Sequence, residues 1–234
     1  SCKVKAISID ENKKAKIDND KCISCGACVY KCPFGAITDK SYVLDIIDML
    51  KGSENNTKYK VYAVIAPAIV SQCRFGRPSQ VVTAIQKLGF HQVVEAALGA
   101  DITLYNEALE WKEKGLMTTS CCPSYVAFIE KNFPELVQHI SHSVSPMIMT
   151  AQLIKHSDPT AKCVFIGPCA SKKAEFKLPK TGGAIDCVMS FEELQAFLDA
   201  RGIDTVECED TVLDNGSFYG RIFAKSGGIV QGLL

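Results

Sequence analysis

Cys22-Ile-Ser-Cys25-Gly-Ala-Cys28-Val-Tyr-Lys-Cys32-Pro33 sets four thiols at the spacing C-x2-C-x2-C-x3-C-P. Thiolates at this pitch can wrap a 4Fe–4S cubane, with Gly26 letting backbone N–H groups approach the sulfurs. A structural zinc ion or unliganded thiols are the competing readings, but a four-cysteine zinc site usually splits into two C-x2-C pairs set far apart. A second group of thiols lies in Thr118-Thr-Ser-Cys121-Cys122-Pro123-Ser-Tyr125, just before a helical pattern whose first turn suits Pro123. The positive end of that helix is expected to lower the pKa of both thiols. Adjacent side chains diverge, so one thiol can ligate a metal while its neighbour faces a different cavity; a vicinal disulfide or two buried thiols are the bland alternatives. In Cys163-Val-Phe-Ile-Gly-Pro-Cys169-Ala-Ser-Lys172-Lys-Ala-Glu175, an apolar strand ends at Gly167-Pro168 and presents Cys169 beside a lysine. A charged cofactor suits such a loop.

The elements that must position these loops are readable from apolar periodicity. Residues 3–9 and 14–17 alternate and are separated by a polar turn, which predicts a small hairpin. A helical pattern covers 41–50, and the polar stretch 51–57 is expected as a linker. From residue 58, strand-like runs at 60–66, 92–98, 162–166 and 184–189 alternate with helical patterns at 78–88, 101–114, 123–132, 146–155 and 191–200. Strand followed by helix, repeated, predicts an α/β domain over 58–234 with a mostly parallel sheet, preceded by a small α+β segment over 1–40. In such sheets ligands sit off the carboxyl ends of strands. The last residues, 226–234, read as a glycine turn entering a short apolar helix, and the protein is expected to continue beyond them.

Composition narrows the partners. Of 234 residues, 47% are hydrophobic and 22% charged, and 26 basic residues balance 26 acidic ones. That balance argues against a nucleic-acid or anionic-membrane partner. The most apolar run, 61–70, is ten residues long and broken by Pro67, so no membrane span is expected. No charged-then-apolar leader opens the chain, which reads as cytoplasmic; there bunched cysteines signal metal rather than disulfides.

Two resemblances sharpen this reading. Cys2-Lys-Val-Lys-Ala-Ile resembles Cys32-Pro-Phe-Gly-Ala-Ile, and with Cys22, Cys25 and Cys28 it is similar to the second half of a two-cluster bacterial ferredoxin, apart from Lys3 in place of a proline. That resemblance implies one cluster on Cys2, Cys22, Cys25 and Cys28, with Cys32 serving a second; the rival assignment uses Cys22, Cys25, Cys28 and Cys32. In addition, Ala66-Pro67, Gly99-Ala-Asp-Ile-Thr-Leu-Tyr-Asn-Glu107-Ala-Leu-Glu110, Thr119-Ser-Cys-Cys-Pro and Pro168-Cys-x-Ser-Lys-Lys-x-Glu175 together resemble FeFe hydrogenase over nearly the whole chain.

That second resemblance implies an H-cluster, a 4Fe–4S cubane bridged by cysteine to a two-iron unit bearing CO and cyanide. Cys122 and Cys169 match two cubane ligands, and Cys121 matches the free thiol that passes protons to the two-iron unit. Glu107, Ser141 and Glu110 match the rest of the proton relay, Lys172 the lysine that binds a cyanide, and Pro67 with Ala68 and Glu175 the surrounding pocket. The implied activity is 2H⁺ + 2e⁻ ⇌ H₂, with a ferredoxin-like electron carrier and hydrogenase maturation factors as partners. Ala68, Gly167 and Tyr125 depart from the serine, methionine and tryptophan common in the family, which indicates a divergent subgroup. No cysteine follows Cys208, so the family's third cysteine loop has no counterpart and the chain is expected to be a fragment of a longer or split enzyme, unable to hold a complete H-cluster alone. Cys73, Cys163, Cys187 and Cys208 read as packing, and His91, His139, His142 and His156 as surface or packing residues. A hydrogen-sensing relative, or a hydrogenase-like iron–sulfur assembly or electron-transfer protein without the two-iron unit, are the alternatives.

Overall fold

The computed structural model describes residues 2–72 and 76–234; Cys73 lies outside them. The chain opens with an antiparallel hairpin of β1 (Ile7–Ile9) and β2 (Ala15–Ile17), in register Ile7 to Ile17. Its turn is held by the Asp10 carboxylate, which accepts from the N–H groups of Asn12 and Lys14 at 2.9 and 2.8 Å. The cysteine run then enters the short helix α1 (Ala27–Lys31).

Helix α2 (Val43–Gly52) follows, and its Ile46 is fully buried in the main core together with Tyr42. The stretch expected as a linker is instead a turn built into that core. Ser53 is buried and donates to the Leu50 carbonyl at 2.7 Å. Asn56 donates to the Gly89 carbonyl at 3.0 Å and accepts from the Val61 N–H at 2.9 Å. Polar side chains here supply the backbone partners that a regular element would supply, which is why polarity alone misreads the stretch.

Beyond it come β3 (Val61–Ile65), α3 (Ile69–Gln72), α4 (Pro78–Lys87), β4 (Gln92–Glu95), α5 (Ala96–Lys114), α6 (Pro123–Asn132), α7 (Pro146–Ser157), β5 (Lys162–Ile166), α8 (Lys172–Glu175), β6 (Cys187–Met189), α9 (Phe191–Ala200), α10 (Phe218–Ile222) and α11 (Gly228–Leu233). The sheet order is β4-β3-β5-β6 with every pairing parallel. Val61, Ala63, Val64 and Ile65 are all buried, because helices cover both faces of such a sheet and a continuous apolar run replaces alternation. Two strands are shorter than expected. The run at 92–98 stops at Glu95, since Ala96 and Ala97 are strong helix formers and open α5. The run at 184–189 pairs only from Cys187.

The chain lays β4 on one side of β3 and then β5 and β6 on the other, so the topological switch point falls between β3 and β5. The crevice outside the carboxyl ends there is bordered by Ala66-Pro67-Ala68 and Gly167-Pro168-Cys169, joined by the Ala66 N–H donating to the Ile166 carbonyl at 2.9 Å. Helix α5 crosses α7 at Gly99, where an added Cβ would stand 2.3 Å from the Pro146 carbonyl oxygen and 2.4 Å from Thr150 Oγ1. That close approach sets α5 against the segment leading into α7, which carries Ser141. Among the described residues no helix is long and apolar enough to cross a membrane.

Gly99→Ala is expected to force α5 from α7 and lower stability by about 3 kcal/mol, the upper end for overpacking because backbone is struck. Urea unfolding followed by circular dichroism measures this; an unchanged midpoint would show that the crossing tolerates separation.

Candidate metal centre

Four N-terminal thiols stand around one cavity. Cys2, Cys22, Cys25 and Cys28 line a space of about 830 Å³ with Gly26, Ala170 and Lys173. Gly26 adopts a left-handed φ of 73° at the head of α1, a conformation glycine accepts without strain. Backbone N–H groups already point at sulfur: Ala6 donates to Cys2 Sγ at 3.3 Å and Ser24 to Cys22 Sγ at 3.4 Å. Among the described residues no three His, Cys, Asp or Glu side chains gather tightly enough for a single metal ion. Thiols spread around a cavity, with N–H groups directed at them, are the donor set of a polynuclear cluster. Cys32 does not line this cavity. Backbone N–H groups of Phe34 and Ala36 hold its thiol below the usual value, and exposed Tyr30 and Phe34 flank it.

The short helix α8 and the loop before it form the far wall of the same cavity. A Cβ on Gly26 would touch that of Ala170 at 3.1 Å. The buried Lys173 ammonium lies 2.8 Å from both Asp39, at the end of the cysteine segment, and Glu193 of α9. Burial works against its charge, but the two carboxylates outweigh that and raise its pKa. Lys131 of α6 adds a second clamp, donating to the carbonyls of Asn19 and Cys22 at 3.0 and 2.8 Å.

On the other side of α8 the paired-cysteine loop meets the Cys169 loop. Lys172 Nζ donates to the Cys121 carbonyl at 2.9 Å and pairs with Glu175 at 2.5 Å, its side chain 13% exposed. Two of its three donors are thereby used, and the third remains for an anion. Cys122 is the N-cap of α6, with Pro123 following, and is exposed; Cys169 Sγ lies 2.8 Å from Ser171 Oγ. Cys121 and Cys122 are both free thiols, so no vicinal disulfide forms. The expectation of a lowered pKa is corrected for Cys121: burial pushes its thiol up, beyond what Thr119 and Lys172 offset. It lies one residue ahead of the N-cap, where desolvation outweighs the helix terminus. Pro67 and Ala68 follow β3 across the crevice. Buried Cys163, Cys187 and Cys208 belong to the core, the first two pushed up to about 12 and about 11 by burial. Apart from Cys32, the described thiols outside the N-terminal cavity and the core are Cys121, Cys122 and Cys169, of which Cys122 and Cys169 are the two candidate ligands for a second cubane.

Polar groups of α5 and of the segment before α7 lie between the residue preceding Cys121 and the surface. Glu107 is fully buried, accepts from the Ser120 N–H at 3.3 Å, and its Oε2 has no hydrogen-bond partner among the described residues. Burial raises its pKa, only partly offset by Ser120 and the neighbouring Ser141. Ser141 Oγ donates to Glu110 Oε2 at 2.8 Å. Burial also works to raise Glu110, but hydrogen bonds from Lys114, Ser141 and the His142 backbone overcome it and hold the carboxyl down at about 2. Lys114 and His142 Nδ1 each reach Glu110 Oε1 at 2.7 Å. Sequence reasoning assigned no role to Ser120, Lys114 or His142; the spacing of Lys114 four residues after Glu110 was the signal available for one of them.

Residues 59–234 match the iron-only hydrogenase large subunit, C-terminal domain, and residues 15–38 match a 4Fe–4S binding domain. The chain is similar to iron hydrogenase 1 of Clostridium pasteurianum, at 30% identity over 97% of this chain and 52% of that protein. It is also similar to a cytosolic Fe–S cluster assembly factor of Kluyveromyces lactis, at 25% identity over 85% of this chain and 45% of that one. Among solved structures, a variant of an apo FeFe-hydrogenase from Chlamydomonas reinhardtii matches with a TM-score of 0.65 at 26% identity, covering 75% of this chain and 51% of that chain. The chain spans about half the length of the curated relatives it matches.

Replacing Cys2 by Ser is expected to abolish the visible absorbance of the anaerobically reconstituted N-terminal cluster, whereas Cys32→Ser leaves that cluster's absorbance in place; the reverse pattern would move the fourth ligand to Cys32. The two carboxyls predict opposite stability effects. Glu107 keeps its proton to higher pH when folded, so stability falls as pH rises from 4.5, the ordinary value, through the folded pKa. Glu110 is depressed, so its contribution is present above 4.5 and lost as pH drops toward about 2. Denaturation midpoints at pH 7 are therefore expected to rise for Glu107→Gln and drop for Glu110→Gln, with the Glu107 difference vanishing near pH 4. Shifts of the same sign would overturn the assignment.

Proposed function

We propose, from the premise that this chain belongs to the iron-only hydrogenase large-subunit family, that it forms part of an FeFe hydrogenase interconverting protons and H₂. Cys2, Cys22, Cys25 and Cys28 would hold the electron-delivering 4Fe–4S cluster, and Cys122 and Cys169 would contribute two ligands to the H-cluster cubane. When bound, the H-cluster supplies an iron site at which protons and electrons combine to H₂. Lys172 would hold an anionic ligand of that group by a charge-assisted hydrogen bond in a protein-walled pocket bordered by Pro67, Ala68 and Glu175.

The protein's own residues then manage the proton. A half-buried, neutral Cys121 thiol can carry a proton rather than ligate metal. Glu107, poised upward by burial, exchanges it with that thiol, and the Ser141 hydroxyl, which both donates and accepts, relays it to Glu110. The observation that supports this reading is the placing of buried Glu107 against the backbone of Ser120, next to Cys121, with the Ser141–Glu110 hydrogen bond between it and the surface. A ferredoxin-like carrier would deliver electrons to the N-terminal cluster, maturation factors would supply the two-iron unit, and a reducing cytoplasm suits the free thiols. Similarity to cytosolic cluster-assembly factors supports a second reading, an iron–sulfur assembly protein without the two-iron unit. A file of proton carriers ending at a non-ligating thiol favours turnover over that reading.

Infrared spectroscopy of the anaerobically matured full-length protein is expected to show CO and cyanide stretching bands; their absence in protein that retains its N-terminal cluster would favour the assembly reading. Cys121→Ala is expected to keep the bands and lose at least about a hundred-fold in H₂ evolution, the usual scale for a positioned proton-transfer group. Undiminished turnover would remove Cys121 from the path.

A further inference from the structure

Glu110 meets solvent through a cluster that the proposed relay does not include. The Glu110 side chain is 14% exposed and its Oε1 takes both Lys114 Nζ and His142 Nδ1 at 2.7 Å. The His142 backbone N–H also donates to the two carboxylate oxygens, at 3.2 and 3.0 Å. A carboxylate only accepts, so its contact with Nδ1 requires the hydrogen to sit on Nδ1. The imidazole is 82% exposed, which leaves Nε2 to water. Lys114 Nζ stands 3.3 Å from the same Nδ1 and, being a donor only, can donate to it once the ring's hydrogen sits on Nε2. His139, on the preceding turn, faces elsewhere, with Nδ1 3.3 Å from the Leu116 carbonyl.

We propose that His142 is the solvent-side terminus of the proton path, collecting protons from water at Nε2 and passing the Nδ1 proton to Glu110. This rests on the hydrogenase reading and deepens it. The step balances without any electron: water gives a proton to Nε2, the Nδ1–H bond breaks as an O–H bond forms on Glu110, and the ring is left neutral with its hydrogen on Nε2. Rotation of the exposed ring presents that hydrogen inward again, and the reverse sequence expels protons during H₂ oxidation.

Glu110 alone is a poor collector. Held at about 2, it is ionised at neutral pH and captures bulk protons rarely. Among the side chains of this cluster only the imidazole presents both a hydrogen-bearing and a lone-pair nitrogen, so it alone can take a proton at one edge while giving one up at the other. The groups around the ring are Glu110 and Lys114 from α5, with Glu130, Glu175 and Lys180 lining the adjoining cavity of about 350 Å³ that His142 shares with Ser120 and Ser141. Because the backbone N–H of residue 142 also fixes Glu110, truncating the side chain removes the imidazole while keeping that bond.

The test compares the matured full-length protein with His142→Ala and with His139→Ala as control. His142→Ala is expected to keep the infrared bands, lose roughly ten-fold or more in H₂ evolution at pH 7, and regain activity when free imidazole is added; His139→Ala is expected to match the parent. Full activity in His142→Ala, or a loss that imidazole does not rescue, would overturn the proposal while leaving the hydrogenase reading intact. A parent protein without any H₂ turnover would sink both. Independently of turnover, ¹⁵N-histidine NMR of the full-length apoprotein is expected to show the neutral His142 ring populating the tautomer with its hydrogen on Nδ1, and Glu110→Gln is expected to deplete that tautomer; a ring held wholly in the Nε2–H tautomer would also overturn it.

Discussion

One ammonium group ties the metal-binding half of this molecule together. Lys172, fixed by Glu175, donates to the backbone carbonyl of Cys121 and so joins a loop at the end of β5 to a loop at the head of α6. That bond adds a direct tie between Cys169's loop and the Cys121-Cys122 pair, whose helices α8 and α6 also pack together. A backbone carbonyl as acceptor leaves both thiols unencumbered, and a lysine with a donor in reserve gives the pocket a positive pole suited to an anionic inorganic group. The ion pair is largely shielded from water, so its geometry is held by partners on both sides rather than by chance encounter of flexible chains.

The loop and helix that carry Lys172 also separate the two candidate iron sites. Ala170 and Lys173 line the cavity of the N-terminal thiols, while Lys172 reaches the other loop. The clamps from Lys173 and Lys131 hold the cysteine segment against this wall. Under the proposed function, proton and electron traffic would be directed to different sides of the same centre, since Glu107, Ser141 and Glu110 lie along α5 and at its far contact.

Along α5, environment divides the work. Glu107 and Glu110 lie one turn apart on one helix yet are driven in opposite directions, one by burial with few partners and the other by a surrounding set of donors. A carboxyl that holds its proton beside one that sheds it would give the proposed path an inner station and an outer charged gate. Relatives that share this fold include hydrogenases and cluster-assembly factors, so the fold alone does not decide the chemistry.

Residue types and spacing alone were sufficient for the N-terminal cluster motif, the alternation of strand and helix with a parallel sheet, and the thiol loops at strand and helix ends, because cluster ligation and helix periodicity are local properties written in neighbouring positions. The turn at 51–57 was misread because its polar residues bond back into the core, and the start of α5 because short apolar runs suit strand and helix alike. The pKa direction of Cys121, the opposed states of Glu107 and Glu110, and the convergence of Lys114 and His142 on one oxygen were not legible. Each depends on burial and on partners distant in the chain, and desolvation exists only once the chain has folded around the group.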